Sequence, residues 1–349
     1  MNWFTWQQHK KQFMVFGILF LLVAALAVPT EIYLWHVIQQ LISVCGKTNQ
    51  SSTCFQSKVS TIATVVFGIS YHLIQLIVLT VPFLLGLFWG VPLVANEYIN
   101  GTNKLVWTRS ISRKRWLTVK LVWILIAGVI FAGAFAALAT WWSRVSNAVY
   151  SFDGAGNTTA VHANTAVYAY NRFTRLAFDT QGIVPAAYAV FAITVGIAVG
   201  TWFKRIMTAL AVTLGVLIVV QVAVPYLVRP NYETPRTASV PILTTDADLS
   251  IPPVPNGDGE ALIVSGAIVN NQGQAINFGN PPAQCSNALQ NGTATQGEDC
   301  ITQLGYHWSV KYQPAYRYWD FQRIETALYL GLAIIPIAGT YWLVLRRDA

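Results

Sequence analysis

Residues 183–228 read IVPAAYAVFAITVGIAVGTWF, then KR, then IMTALAVTLGVLIVVQVAVPYLV. Two uncharged apolar runs, Ile183–Phe203 and Ile206–Val228, flank a single basic pair, Lys204 and Arg205. Each run is close to the roughly 20 residues that an α-helix needs to cross a bilayer. The pair between them is too short for anything but a tight turn, so the stretch predicts a helical hairpin through a membrane. Four more runs of the same kind occur, at Phe13–Leu34, Ile62–Trp89, Leu121–Trp142 and Thr326–Leu345. Composition agrees: charged residues make up 10% of the 349, against about 25% in soluble domains.

Six crossings sort the loops into two sets. One set carries Lys10, Lys11, Lys104, Arg109, Arg113, Lys114, Arg115, Lys120, Lys204, Arg205, Arg346 and Arg347, opposed only by Glu97 and Asp348. An excess of Lys and Arg on short loops marks the cytoplasmic side, which puts both termini inside. The formal charge of +8 is therefore read as membrane orientation, and no nucleic-acid partner is expected. All four cysteines fall on the other side, as expected for an oxidising compartment, and predict disulfides Cys45–Cys54 and Cys285–Cys300. Their spacings and the lack of a suitably placed histidine give no metal site. Ala25-Leu26-Ala27 imitates a signal-peptidase site, but apolar character continues through Trp35, so an uncleaved first span is expected.

The predicted fold is an all-α membrane protein with six transmembrane helices, termini inside, and a disulfide-tied extracytoplasmic domain between helices five and six. Residues 1–12, with Trp3, Phe4 and Trp6 before Lys10 and Lys11, form an amphipathic interface helix. Residues 13–228 hold the first five spans, 229–325 the outer domain, and 326–349 the last span and a short tail. The outer segment opens with Pro230, Pro235 and Pro241, has a strand-like run at Ala261–Val269, and ends in an aromatic run from Tyr306 to Phe321. Trp35, Trp89, Trp141, Trp142, Trp202, Trp319 and Trp342 lie near span ends and are read as interface anchors. Small residues four apart, Gly128/Ala132/Ala136, Ala192/Gly196/Gly200 and Ala211/Gly215, mark faces for close helix packing.

The chain offers little for bond chemistry. No His-Glu-x-x-His or Gly-x-Ser-x-Gly pattern occurs, and Gly46-Lys47-Thr48 lacks the earlier glycine of a phosphate loop, Leu41 standing there. Within the spans, His72 and Gln75 are three apart, on one face of the second helix, and are the candidates for a substrate path. The basic loop after that helix is more informative. A short helix from Leu93 to Ile99, stopped at Gly101, would offer an apolar side and Glu97 to a cytoplasmic partner. Arg113, Lys114 and Arg115 would sit at the headgroups, with Trp116 as an anchor.

Trp3-x-x-Trp6-x-x-His9, then Gly86-x-Phe88-Trp89-Gly90-x-Pro92-Leu93 before Glu97, then Gly101-Thr102, Leu105-Val106-Trp107-Thr108-x-Ser110 and Arg113-x-x-Trp116 resemble the permease subunits of ABC-2-type transporters, a type V exporter arrangement of actinobacterial style. The resemblance implies a coupling helix near 91–102 that docks on a separate ABC ATPase through Leu93, Asn96, Glu97 and Tyr98. It implies a second contact at Lys204 and Arg205. ATP and Mg would be bound by that partner and no cofactor by this chain, which would not itself be an enzyme. A second permease copy, identical or a close paralogue, and membrane lipid complete the implied assembly, in a bacterial cell membrane. The implied function is export of a hydrophobic or amphipathic compound or peptide. The alternative is a non-transporting sensor or scaffold whose ectodomain binds a partner.

Overall fold

A computed structural model describes residues 2–45, 68–99, 101, 112–153, 172–242, 261–277, 281–291 and 294–347. Among these, six helical segments are long and apolar enough to cross a membrane: Gln12–Tyr33, His72–Ile99, Arg113–Ser143, Val184–Phe203, Ile206–Asn231 and Ala315–Arg346. The expected Cys45–Cys54 bridge and the Leu105–Ser110 motif lie outside the described residues.

The first span belongs to α1 (Asn2–Cys45), which carries residues 2–12 into the membrane segment without a break. The second is α2 (Gly68–Leu85), continued by a π-turn, Gly86–Gly90, into α3 (Val91–Ile99). The short helix predicted after the second span is therefore its last turns. The third span is α4 (Arg113–Asp153). A short α5 (Arg175–Thr180) precedes the fourth, α6 (Val184–Phe203), and the fifth is α7 (Ile206–Ala223) with a π-turn over Val224–Val228.

Helix α6 is the hub. Its sequence is apolar on all sides, as a helix surrounded by others must be. Accordingly 78% of its apolar window is buried, against 17% for the first span and 22% for the fifth. Small residues let neighbours approach. A Cβ on Gly86 would lie 2.7 Å from the Ala192 carbonyl oxygen, and one on Gly200 would lie 2.5 Å from that of Val91. The Ala192/Gly196/Gly200 face thus packs within the chain, against the π-turn of the second span. Gly128 also faces α6, at Ile193, whereas Gly215 on α7 looks into open space.

Two prolines explain where the helical ladder widens. Pro92 has no N–H for the Phe88 carbonyl, and that oxygen instead accepts the Gln12 side-chain amide at 3.0 Å. Pro225 likewise cannot serve Gln221, whose carbonyl accepts Arg175 Nη2 at 2.9 Å. In each case the carbonyl freed near one end of a span anchors a side chain from another element.

The predicted aromatic anchors divide. Trp35, Trp202, Trp319 and Trp342 are exposed, while Trp89 and Trp142 are buried. Trp89 is ringed by Phe13, Phe16 and Phe131 at centroid distances of 5.1, 5.0 and 5.5 Å. Trp142 donates its indole N–H to Thr30. Both tryptophans sit on faces turned toward α1, so packing overrides their position along the helix. The exposed pair Trp319 and Trp342 stand about 35 Å apart at 1.5 Å per residue, a bilayer's hydrocarbon thickness with a little headgroup on each side.

The segment between the fifth and sixth spans corrects the all-α expectation. Strands β1 (Arg236–Val240), β2 (Leu262–Val269) and β3 (His307–Gln313) form an antiparallel sheet in the order β1-β3-β2. Alternation along β3 turns Trp308, Val310 and Tyr312 inward. Helices α8 (Ser286–Asn291) and α9 (Ala294–Gln303) lie beside it, and Cys285 and Cys300 are bridged as expected. The last span is α10 (Tyr318–Trp342), extended by a π-turn over Leu343–Arg347.

Candidate coupling site and a buried charge cluster

One end of the bundle collects the residues singled out by sequence. Here α3, the start of α4 and the α6–α7 turn meet, and it is the end that carries the basic loops. Leu93 and Glu97 point inward on α3, Asn96 outward, and Tyr98 lies between. Glu97, 8% exposed, accepts a charge-assisted hydrogen bond from Lys120 on α4. The Nζ of Lys120 also lies 4.8 Å from the centroid of the Trp116 ring. The expectation that Glu97 faces a partner gives way to an internal role. A carboxylate on the side of α3 that packs into the protein needs a cation, and α4 supplies one. Trp116 is likewise buried in this contact and does not serve as an interface anchor.

Tyr98 and Lys204, expected as two separate contacts, meet: the Lys204 ammonium lies 4.7 Å from the Tyr98 ring centroid. Lys204 ends α6 in the left-handed conformation, φ 53°, with its N–H bonded to the Gly200 carbonyl at 3.2 Å. Glycine is usual at such a position; with lysine there, the turn gains a cation that reaches the second span. Arg205 is the extended residue before α7. Beside this corner an apolar groove of about 540 Å³ opens between α1 and the second span, lined by Phe16, Leu19, Leu84 and Phe88 among others.

The proposed substrate-path pair separates. His72 is exposed and Gln75 buried, so three residues of helix turned them onto different surfaces. Among the described residues, neither Gln75 amide atom has a hydrogen-bond partner.

At the far end lies a site that the sequence reading passed over. Arg229, 3% exposed, stands between Asp179 and Glu325, which are 6% and 0% exposed. Its Nε and Nη2 donate to the two Glu325 oxygens at 2.8 and 2.7 Å, and Nη2 also donates to Asp179. Gln221 donates to the other Asp179 oxygen at 2.8 Å, Tyr232 to Glu325 at 3.0 Å, and Phe178 lies 4.0 Å beneath the guanidinium. Burial pushes the Asp179 carboxyl up to about 6, against the pull of Arg229. Burial also raises the Tyr232 phenol, with Glu325 adding to the shift.

Gln322 stitches the same region. Its oxygen accepts the Ile183 and Val184 N–H groups at 3.0 and 3.1 Å, and its amide donates to the Phe178 carbonyl at 3.1 Å. Arg317 pairs with Glu233 at 2.7 Å just beyond. Strands β1 and β3 therefore continue almost directly into the fifth and sixth spans, clasped at the base. Arg229 follows the apolar run of the fifth span and Glu325 precedes that of the sixth. The sequence analysis assigns neither a role; the available signal is a carboxylate, Glu325, immediately before an apolar run.

Six apolar helices of membrane-spanning length among the described residues, one of them the buried hub α6, define a multi-pass membrane protein. The chain belongs to the ABC-2 membrane transporter related family, whose family model matches residues 17–229. No curated protein and no solved structure matches it.

Proposed function

We propose that the chain is the membrane subunit of an ATP-driven exporter, powered by a separate ABC ATPase that binds ATP and Mg. The reading is carried by the corner where Tyr98 meets Lys204 and Glu97 meets Lys120. There a push on α3 reaches the α6–α7 turn, α4 and the hub helix through direct contacts. The chain itself performs no bond chemistry. Asn96, Tyr98 and Arg205 form the docking surface, while Leu93, Glu97 and Lys204 hold α3 in place behind it.

The excess of Lys and Arg at this end supports a cytoplasmic placement for it, with the sheet domain outside, and the family likeness supports a bacterial cell membrane. The weakly buried first and fifth spans leave surface for a second permease copy, identical or a close paralogue. The groove beside Phe16 and Phe88 is almost wholly apolar and opens at the cytoplasmic end. It suits a hydrophobic or amphipathic compound or peptide taken from the inner leaflet.

The test is purification of the tagged chain from its native membrane with its ATPase. Co-capture of an ABC ATPase that a Tyr98→Ala, Asn96→Ala variant fails to retain is expected. Capture of no ATPase by the wild-type chain would refute the reading.

A further inference from the structure

At the basic end, α4 and α10 meet on a surface apart from the coupling corner. The Thr118 and Tyr341 hydroxyls lie 2.6 Å apart. The Thr118 proton is directed at the Lys114 carbonyl, 2.8 Å away, so Tyr341 is the donor between the two. Helix α4 also touches the Leu343–Arg347 turn that ends the sixth span. The two helices run in opposite directions through this contact. One turn from Thr118 toward the end of the bundle therefore brings Lys114 and Arg115 level with Leu345 and Arg346. Lys114, Arg115 and Arg346 are all exposed. Among the described residues at this end the only carboxylate is Glu97, which is committed to Lys120.

Above these cations both helices present apolar ridges. On α4, Lys114, Thr118, Val122, Ile126 and Ile130 follow one another at four-residue steps, and all are exposed. Successive side chains at this spacing stack along one face. On α10, Ile335, Trp342 and Leu345 are exposed and lead to Arg346. From Thr118 to Ile130 the ridge is about 18 Å long, close to the ~15 Å of one leaflet's hydrocarbon. The surface has a cationic head, a hydroxyl rim and an apolar strip one leaflet deep.

We propose that this surface binds an anionic phospholipid, its phosphate held by Lys114, Arg115 and Arg346 and an acyl chain lying along Val122, Ile126 and Ile130. Three cations with no carboxylate among them favour a net negative headgroup over a zwitterionic one. The apolar ridge favours a lipid over a free anion. The site stands whether or not the chain is a transport subunit, because none of these residues belongs to the coupling corner.

The test uses the full chain in detergent, with bound lipid counted by native mass spectrometry and thermal unfolding followed in parallel. Phosphatidylglycerol, phosphatidylcholine with the same acyl chains, and inorganic phosphate are added separately. Phosphatidylglycerol is expected to remain bound and raise the unfolding temperature, and the other two are not. In a Lys114→Gln, Arg346→Gln variant, loss of two basic contacts at an anionic headgroup is expected to weaken phosphatidylglycerol binding about thirty-fold. Lys114→Arg with Arg346→Lys should retain it. Lys311→Gln, exposed on β3, should change nothing. Equal effects of the two lipids would overturn the proposal, as would a shift produced by inorganic phosphate alone. So would a glutamine variant that binds like wild type, or a second copy or acidic protein that occupies the surface and excludes the lipid. If the glutamine variant does not fold, the comparison of lipids on the wild-type chain still decides.

Discussion

Replacing Arg229 with leucine removes the cation that pairs with both Asp179 and Glu325, each of them buried. Breaking a buried ion pair by removing one partner costs about 3–5 kcal/mol, because the remaining charge keeps its desolvation penalty. Here two carboxylates are left, so the upper half of that range is expected, moderated by protonation of Asp179. Removing Glu325 as well should recover much of the loss. An apolar pair of similar volume replaces the pair of charges, and Asp179, still bonded by Gln221, accepts a proton. The Arg229→Leu, Glu325→Leu double variant should therefore be at least ~2 kcal/mol more stable than the sum of the single effects implies. The assay is reversible unfolding of the full chain in mixed micelles, followed by tryptophan fluorescence. An Arg229→Leu variant within about 0.5 kcal/mol of wild type would refute the reasoning, because surface substitutions fall in that range. Strict additivity would refute it equally.

The same cluster gives a pH dependence of defined sign. The folded-state pKa of Asp179, about 6, is above the ~3.9 of an unfolded aspartate. The folded chain thus holds the proton more tightly, and this contribution is complete below pH 4 and lost as pH rises through 6. Unfolding temperature should fall between pH 4.5 and 7, and Asp179→Asn should flatten that slope. Gly196→Leu places a side chain against the Gly86 carbonyl and the Val91 amide. It should prevent folding of the bundle, read as loss of monodisperse protein, whereas Gly215→Leu, with nothing near it, should fold. Opening the Cys285–Cys300 bridge, 15 residues apart, should cost about 3 kcal/mol. That loss should appear as faster proteolysis of the sheet domain with the membrane helices intact.

The spans were legible because a bilayer tolerates one kind of helical sequence: the first, fourth and fifth runs recur with their ends moved by at most 3 residues, while the third and sixth helices begin 8 and 11 residues before the expected runs. The second span runs 10 residues past its expected end at Trp89, through a π-turn that Pro92 forces and on to Ile99, and nothing in hydropathy marks that continuation. The strand at Leu262–Val269 and the Cys285–Cys300 pair were legible from local pattern. Its partners β1 and β3 were not, since Pro235 and the aromatic run around Trp308 concealed short strands whose pairing is set at long range.

The corner proposed for ATPase docking was half legible. Its members were identified, but the face each occupies depends on which side of α3 meets α4, a tertiary fact that turned Glu97 inward. His72 and Gln75 show the same limit, because three helical residues share a side only loosely. Asp179, Arg229 and Glu325 are 50 and 96 residues apart in sequence, each at a span boundary. Only the packed structure shows that they neutralise one another.

The most direct test of the transport reading is ATP hydrolysis by the co-purified ATPase, measured with wild-type chain and with Lys204→Ala, which removes the cation from Tyr98 but leaves the buried Glu97–Lys120 pair untouched. Hydrolysis that depends on the wild-type chain and changes severalfold in the variant, with capture and folding preserved, is the expected result. Hydrolysis indifferent to the presence of the chain would contradict it.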